Sequence, residues 1–190
     1  MTRVILLAGP SGGGKSRLAR HIGALALRLD DFYRDADTPG LPRAHGIVDW
    51  DDPATWDPAA AVDALGRLVR EGRCEVPLYS IAESRRVGRR TLELGGHALV
   101  VAEGIFAVDL LPHARRAGLP VEPLYLDRSR WLVAALRLRR DLAHRRKPPL
   151  VLLRRGWALF RSQPALRASA LAAGFTPVTM RRAIRLLGPA

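Results

Sequence analysis

Residues 9 to 16 read Gly9-Pro10-Ser11-Gly12-Gly13-Gly14-Lys15-Ser16, a G-x-x-x-x-G-K-[ST] spacing placed directly after the apolar run Val4-Ile5-Leu6-Leu7-Ala8. Glycines let successive backbone N–H groups curl around an anion, and a helix that starts at the end of such a loop adds the positive end of its dipole. Lys15 supplies a mobile point charge for the outer phosphates, and the Ser16 hydroxyl is a hard oxygen ligand suited to Mg²⁺. Gly9, Ser11, Gly12, Gly13, Gly14, Lys15 and Ser16 are therefore the candidate phosphate-binding set, and the chain reads as a nucleotide-binding protein. The alternative is a glycine-rich strand-to-helix turn that binds nothing. Strand, loop, Lys-Ser and helix in that order weigh against it.

Two acids and three arginines extend the chemistry. Glu103 closes the apolar run that starts at His97, where an acid at the end of a central strand holds Mg²⁺ directly or through water; a surface carboxylate is the plain alternative. Asp30 and Asp31 end a second apolar run, Leu25 to Leu29, which brings a carboxylate to the same sheet edge as the phosphate loop. A carboxylate there can take the proton of an attacking hydroxyl and hold it in line with phosphorus. On a strand the two side chains point to opposite sides, so one of the pair is read as catalytic and the other as structural; the alternative is that both merely begin a loop. Arg137, Arg140 and Arg145 lie on or at the end of a basic helical stretch. Either they close over the transferred phosphoryl group or they coat a solvated helix face.

The elements that must position these groups follow from periodicity. Arg3 to Ala8 is a strand, Lys15 to about Ala24 a helix, and Leu25 to Leu29 a strand. Residues 32 to 56 form a long loop, in which Trp50 and Trp56 either stack on an acceptor ring or anchor the loop in the core. Thr55 or Asp57 caps the next helix, whose inner face is Ala61, Leu65, Leu68 and Val69. Val76 to Ile81 and Arg90 to Leu94 form a hairpin around a basic turn. His97 to Gly104 reads as a central parallel strand, with another at Val121 to Leu126. Helices are expected over Ser129 to Arg146, Leu150 to Arg161 and Thr179 to Leu187.

With 190 residues the chain suits one α/β domain, residues 1–190, with a small lid at about 137–149 and the hairpin at about 75–95. The net charge is +13, and the excess is local: residues through Asp127 hold 16 basic and 17 acidic side chains, and those from Arg128 onward hold 15 and one. A phosphate-handling lid, a nucleic-acid surface and a solvated arginine-rich face are the three readings of that bias. No interleaved aromatic and basic strand pattern for single-stranded RNA is present, which ranks nucleic acid below a small molecule as partner. One cysteine, Cys74, excludes an internal disulfide, and no run reaches membrane-spanning length or has the form of a secretory signal. A cytoplasmic protein is expected, with homo-oligomerisation open.

The ordered segments GPSGGGKS, LDDFY, DWDDPATWD, VPLY, VVAEGIFA and RLRRDLAHRRK, spread over about residues 3 to 147, resemble the uridine kinase family of P-loop kinases, which is related to phosphoribulokinase and pantothenate kinase. The resemblance implies an α/β P-loop NTPase three-layer fold with a central parallel sheet, a small hairpin over the acceptor site and a helical lid. It also implies ATP and Mg²⁺, and phosphorylation of a primary hydroxyl on a small-molecule alcohol, usually uridine or cytidine. In that family pattern Asp30 is the base and Tyr33 lines the acceptor pocket. Asp51 holds the ribose hydroxyls, Tyr79 and Ile105 flank the base, and Arg137, Arg140 and Arg145 match lid arginines. The departures lie where the base is read: after Pro77-Leu78-Tyr79 the family has Asp-Phe and then a His, whereas this chain has Ser80-Ile81 and Ser84 and keeps only the basic Arg86. A site that loses such donors loses discrimination. Two alternatives therefore stay open: a same-fold kinase for a sugar, glycerate or pantothenate-like alcohol, and a nucleotide-dependent nucleic-acid-binding or regulatory protein.

Overall fold

Strand β1 (Arg3–Ala8) is apolar on both sides, and a strand of that kind must be covered on both. Val4, Leu6 and Ala8 enter one core and Ile5 and Leu7 the other. The computed structural model describes residues 2–44, 46–143 and 149–188, with backbone alone for 140–143 and 149–159.

From β1 the chain passes through the phosphate loop into α1 (Lys15–His21), then β2 (Leu25–Arg28) and a 3-10 turn over Leu29–Phe32. The long connection that follows contains the two-residue strands β3 (Arg43–Ala44) and β4 (Ile47–Val48). Next come α2 (Pro58–Glu71), the hairpin strands β5 (Arg73–Ser80) and β6 (Arg85–Glu93), β7 (Leu99–Glu103), α3 (Ala107–Arg116) and β8 (Val121–Leu126). Helices α4 (Arg130–Ala143) and α5 (Pro149–Ala172), strand β9 (Thr176–Val178) and α6 (Met180–Leu187) complete the described residues.

Five strands form a parallel sheet in the order β2-β7-β1-β8-β9. Helices α2 and α3 cover one face with Ala61, Leu65, Leu68, Leu110 and Leu111, and α1 and α6 cover the other with Leu18, Ala19, Ala183 and Leu187. This is the expected three-layer α/β arrangement.

Local chemistry sets the element ends. The Asp57 carboxylate accepts the Ala60 N–H at 3.0 Å with Pro58 at the first turn, so Asp57 rather than Thr55 caps α2. Thr179 caps α6 in the same way, accepting from Arg182 N–H at 3.3 Å. Three expectations need correction. The second strand stops at Arg28, and Asp30 and Asp31 ride on a 3-10 turn, so strand alternation does not govern where they point. The hairpin is longer than its apolar residues indicate, because Arg85 to Arg90 are part of β6 and the turn is only residues 81 to 84. Helix α5 runs past Arg161 and through Pro164 to Ala172, and the short edge strand β9, which contains Pro177, was not anticipated.

Candidate active site

Parallel pairing brings the chemistry to one edge. The register aligns Leu7 of β1 with Glu103 at the end of β7, and Arg28 at the end of β2 with the same Glu103. The phosphate loop leaves β1 at this level, so the loop, Glu103 and the Leu29–Phe32 turn meet at the carboxyl ends of the strands, where open α/β sheets bind ligands.

The loop curls through positive φ at Gly9 (148°), Gly12 (76°) and Gly14 (95°), which only glycine adopts readily. The Gly13 N–H donates to the Pro10 carbonyl at 2.9 Å and closes the turn. Lys15 is 6% exposed, and its Nζ donates to the carbonyls of Gly9 at 2.8 Å and Pro10 at 3.3 Å. Ser16 Oγ donates to Glu103 Oε1 at 2.6 Å, so the two oxygens proposed to hold Mg²⁺ are adjacent, and Glu103 is 7% exposed. No group of three or more His, Cys, Asp or Glu side chains converges among the described residues. A seat made of one hydroxyl and one carboxylate fits Mg²⁺, which takes few protein ligands and fills its remaining positions with phosphate oxygens and water.

Asp30 lies beside this pair. One of its oxygens, Oδ1, is buried without a hydrogen-bond partner, while the Ile105 backbone N–H donates to the carboxylate. Burial raises its pKa above the ordinary aspartate range; the Lys15 cation opposes that rise and the Glu103 charge adds to it. Gly104 makes this approach possible, since a Cβ there would stand 2.7 Å from Leu29 Cβ and 2.9 Å from Asp30 Oδ1. Asp31 is differently placed. It pairs with Arg90 of the hairpin at 3.4 Å and with Arg28 at 3.8 Å, and burial again raises its pKa against those cations. Asp30 thus faces the loop, and Asp31 ties the turn to β6.

The residues that the family resemblance assigns to the acceptor come together in part. Tyr33 forms an edge-to-face pair with Trp50 at 5.3 Å, a tilted one with Tyr79 at 5.5 Å and an edge-to-face one with Phe106 at 5.5 Å. The Tyr33 hydroxyl donates to the Trp50 carbonyl at 3.0 Å, and the Tyr79 hydroxyl to the Arg34 carbonyl at 3.2 Å; burial pushes the Tyr79 phenol up to about 12. Asp51 is exposed next to Trp50, and its N–H donates to Asp49 Oδ1 at 3.3 Å. Ile105 is partly buried and packs against the core cluster that contains Phe106. The two tryptophans divide the roles considered for both. Trp56 is 1% exposed, stacks on Phe106 at 5.1 Å and donates Nε1–H to the Leu29 carbonyl at 2.8 Å, which makes it the anchor of the loop; Trp50 stays at the aromatic cluster.

The departures from the family pattern sit in the hairpin tip. Ser80 Oγ accepts the Glu83 N–H at 3.2 Å, and Ser84, held at φ 52°, accepts the Ala36 N–H on its carbonyl at 2.9 Å. Arg86 fastens the hairpin to the body: its N–H donates to Asp35 Oδ1 at 2.7 Å, its Nε to the Tyr33 carbonyl at 3.1 Å, and its guanidinium lies 3.6 Å from Asp57.

Among the arginines, Arg137 is 7% exposed and donates to the Ser11 carbonyl at 2.5 Å, against the phosphate loop rather than the aromatic cluster. Arg140 belongs to the backbone of α4, and Arg145 lies outside the described residues, as does the 144–148 part of the expected lid. Sequence reasoning missed Arg128, whose Nε donates to the Gly13 carbonyl at 3.2 Å, and Phe106, the floor of the aromatic cluster. The signal for Arg128 was its place just beyond a strand end, the same argument that singles out Glu103.

No protein-family model matches the chain. It is 33% identical over 109 residues to inorganic pyrophosphatase TTM1 of Arabidopsis thaliana, covering 54% of this chain and 16% of that protein. It is 29% identical over 150 residues to the uridine kinase of Saccharomyces cerevisiae, covering 75% of this chain and 29% of that protein. It is also 29% identical over 154 residues to the uridine kinase of Tolumonas auensis, covering 75% of this chain and 69% of that protein. The chain thus spans less than a third of the length of the plant and yeast relatives. Among solved structures, a protein assigned as a fructose transport system kinase, from Silicibacter sp. TM1040, superposes with a TM-score of 0.61 at 19% identity, over 94% of this chain and 88% of that one, which establishes the shared fold. In sequence this chain resembles the uridine kinases, and its fold is that of the P-loop kinases.

Proposed function

We propose that the protein is an ATP-dependent kinase that moves the γ-phosphoryl group to a primary hydroxyl of a small molecule, with a pyrimidine nucleoside of the uridine or cytidine type as acceptor. The observation that carries this reading is the convergence of Lys15, the Ser16–Glu103 pair and the half-satisfied Asp30 carboxylate at one sheet edge. Loop amides and Lys15 bind the phosphates, and Ser16 with Glu103 would hold Mg²⁺, which neutralises phosphate charge when bound. Asp30 takes the acceptor's proton as the oxygen forms its bond to the γ-phosphorus and the bond to the bridging oxygen of ADP breaks. Arg140 and Arg145 are assigned to the charge on the transferred group, and Arg137 to substrate binding. Tyr33, Asp51, Tyr79 and Ile105 are assigned to the acceptor. A reducing, cytoplasmic setting suits the single buried Cys74, whose thiol burial pushes up to about 11.

A second reading, another small alcohol such as a sugar, is favoured by the hairpin tip. Ser80 and Ser84 stand where the resemblance expects base-reading groups, and both serve the turn instead. One experiment separates the readings: ATP consumption with Mg²⁺ against nucleosides and small alcohols, with products identified by mass. Phosphorylated uridine or cytidine is the expected product, and Lys15→Ala should abolish it. Turnover with a different alcohol replaces the acceptor, and no turnover with any compound favours a nucleotide-dependent binding protein.

A further inference from the structure

Two peptide planes of the phosphate loop are held from outside by arginines of a single segment. Arg137 donates to the Ser11 carbonyl at 2.5 Å, and Arg128 Nε donates to the Gly13 carbonyl at 3.2 Å. A trans peptide is planar, with its C=O and N–H pointing opposite ways. Fixing the Ser11 carbonyl therefore turns the Gly12 N–H away from Arg137, and fixing the Gly13 carbonyl turns the Gly14 N–H away from Arg128. The amide between them, Gly13 N–H, is already engaged by the Pro10 carbonyl at 2.9 Å. The two pinned planes thus carry two of the N–H groups that can face an anion in the loop.

Arg128 is itself anchored. Its carbonyl accepts Nε2–H of Gln163 on α5 at 2.8 Å, and Gln163 is only 8% exposed. Its guanidinium lies 3.7 Å from the position a Cβ on Gly14 would take, so it also lines the flank of that residue. We propose that Arg128 is a positioning residue: by holding the Gly13 carbonyl it aims the Gly14 N–H at a bound phosphate, and through Gln163 it makes the shape of the loop depend on where α4 and α5 sit. The proposal rests on the reading of the loop as a nucleotide site.

The test compares wild type, Arg128→Met and Arg128→Lys by titration calorimetry with MgATP and with inorganic tripolyphosphate, alongside melting temperature. Arg128→Met should weaken both ligands by the same factor, on the order of ten-fold, without moving Tm. Arg128→Lys should recover most of that loss, because an ammonium can still donate to the Gly13 carbonyl. Two results overturn the proposal: tripolyphosphate bound as tightly by Arg128→Met as by wild type, whether or not ATP binding falls, or a loss that tracks a lowered Tm in both variants. Wild-type protein that binds neither ligand would instead remove the nucleotide reading itself.

Discussion

Asp30 sits where a carboxylate charge is disfavoured. Its Oδ1 has no partner, and its neighbours include another carboxylate, Glu103, so folding raises the carboxyl pKa, with burial the leading cause. A carboxyl raised on folding binds protons more tightly when folded than when unfolded. Its charge therefore destabilises the fold above the folded pKa, and the penalty is relieved as pH falls. Asp30→Asn should accordingly raise Tm at neutral pH, by a stability on the order of 1 kcal/mol, with the gain shrinking in acid; calorimetry over a pH series reads this directly. The same variant should leave ATP binding nearly intact while kcat drops on the order of 10²-fold or more. In the wild type, the acid limb of kcat should lie above the ordinary aspartate range. If kcat survives the substitution while Asp31→Asn destroys it, the base is Asp31 and the ion pairs to Arg28 and Arg90 are part of catalysis. If both variants remain active, neither carboxylate is the base.

At the scale of elements, the contact between the Leu29–Phe32 turn and the end of β7 decides where Asp30 stands. Gly104→Ala would drive a methyl into Leu29 Cβ at 2.7 Å and Asp30 Oδ1 at 2.9 Å, and because the turn is also tied to Trp56 it cannot retreat freely. The expected result is a loss of about 1–3 kcal/mol in stability and a fall in kcat of on the order of ten-fold or more, measured by denaturant unfolding and steady-state kinetics. Unchanged kcat in a folded Gly104→Ala protein would mean that the turn is softer than its packing indicates. This contact also shows what a linear reading can and cannot reach. The phosphate loop and Glu103 were legible because strand, loop and helix signals are local and β7 is apolar throughout. The adjacency of Asp30 to the loop was legible from a strand end, although the strand stops earlier and a 3-10 turn carries the residue. What Arg128 and Gln163 bond to was not, because each bridges segments far apart in sequence, although the place of Arg128 just beyond a strand end was itself legible. The hairpin was underestimated because Arg85 to Arg90, exposed or half-exposed on a two-stranded ribbon, lack the apolar alternation by which strands are recognised.

Across the whole molecule the charge of +13 is concentrated in residues from Arg128 onward, and part of it is already committed: Arg128 and Arg137 to the phosphate loop, Arg167 to Asp127 at 3.0 Å. A local charge excess of this size attracts polyanions without needing a specific site. Binding of a random single-stranded oligonucleotide, followed by fluorescence anisotropy, should weaken by two orders of magnitude or more between about 50 and 200 mM salt. Lys15→Ala should bind it as wild type does. Tight binding that persists at high salt would instead make nucleic acid a genuine partner. The strand order has a different kind of consequence. In the sheet β1 lies between β7 and β8, so Arg3 is paired with Leu99 and Val4 with Val121. During synthesis the first strand therefore leaves the ribosome long before either neighbour exists. Its apolar residues and the phosphate loop behind it must wait unpaired until Leu99–Glu103 of β7 has been made, and non-local pairing of that kind slows folding and leaves apolar surface exposed in the meantime.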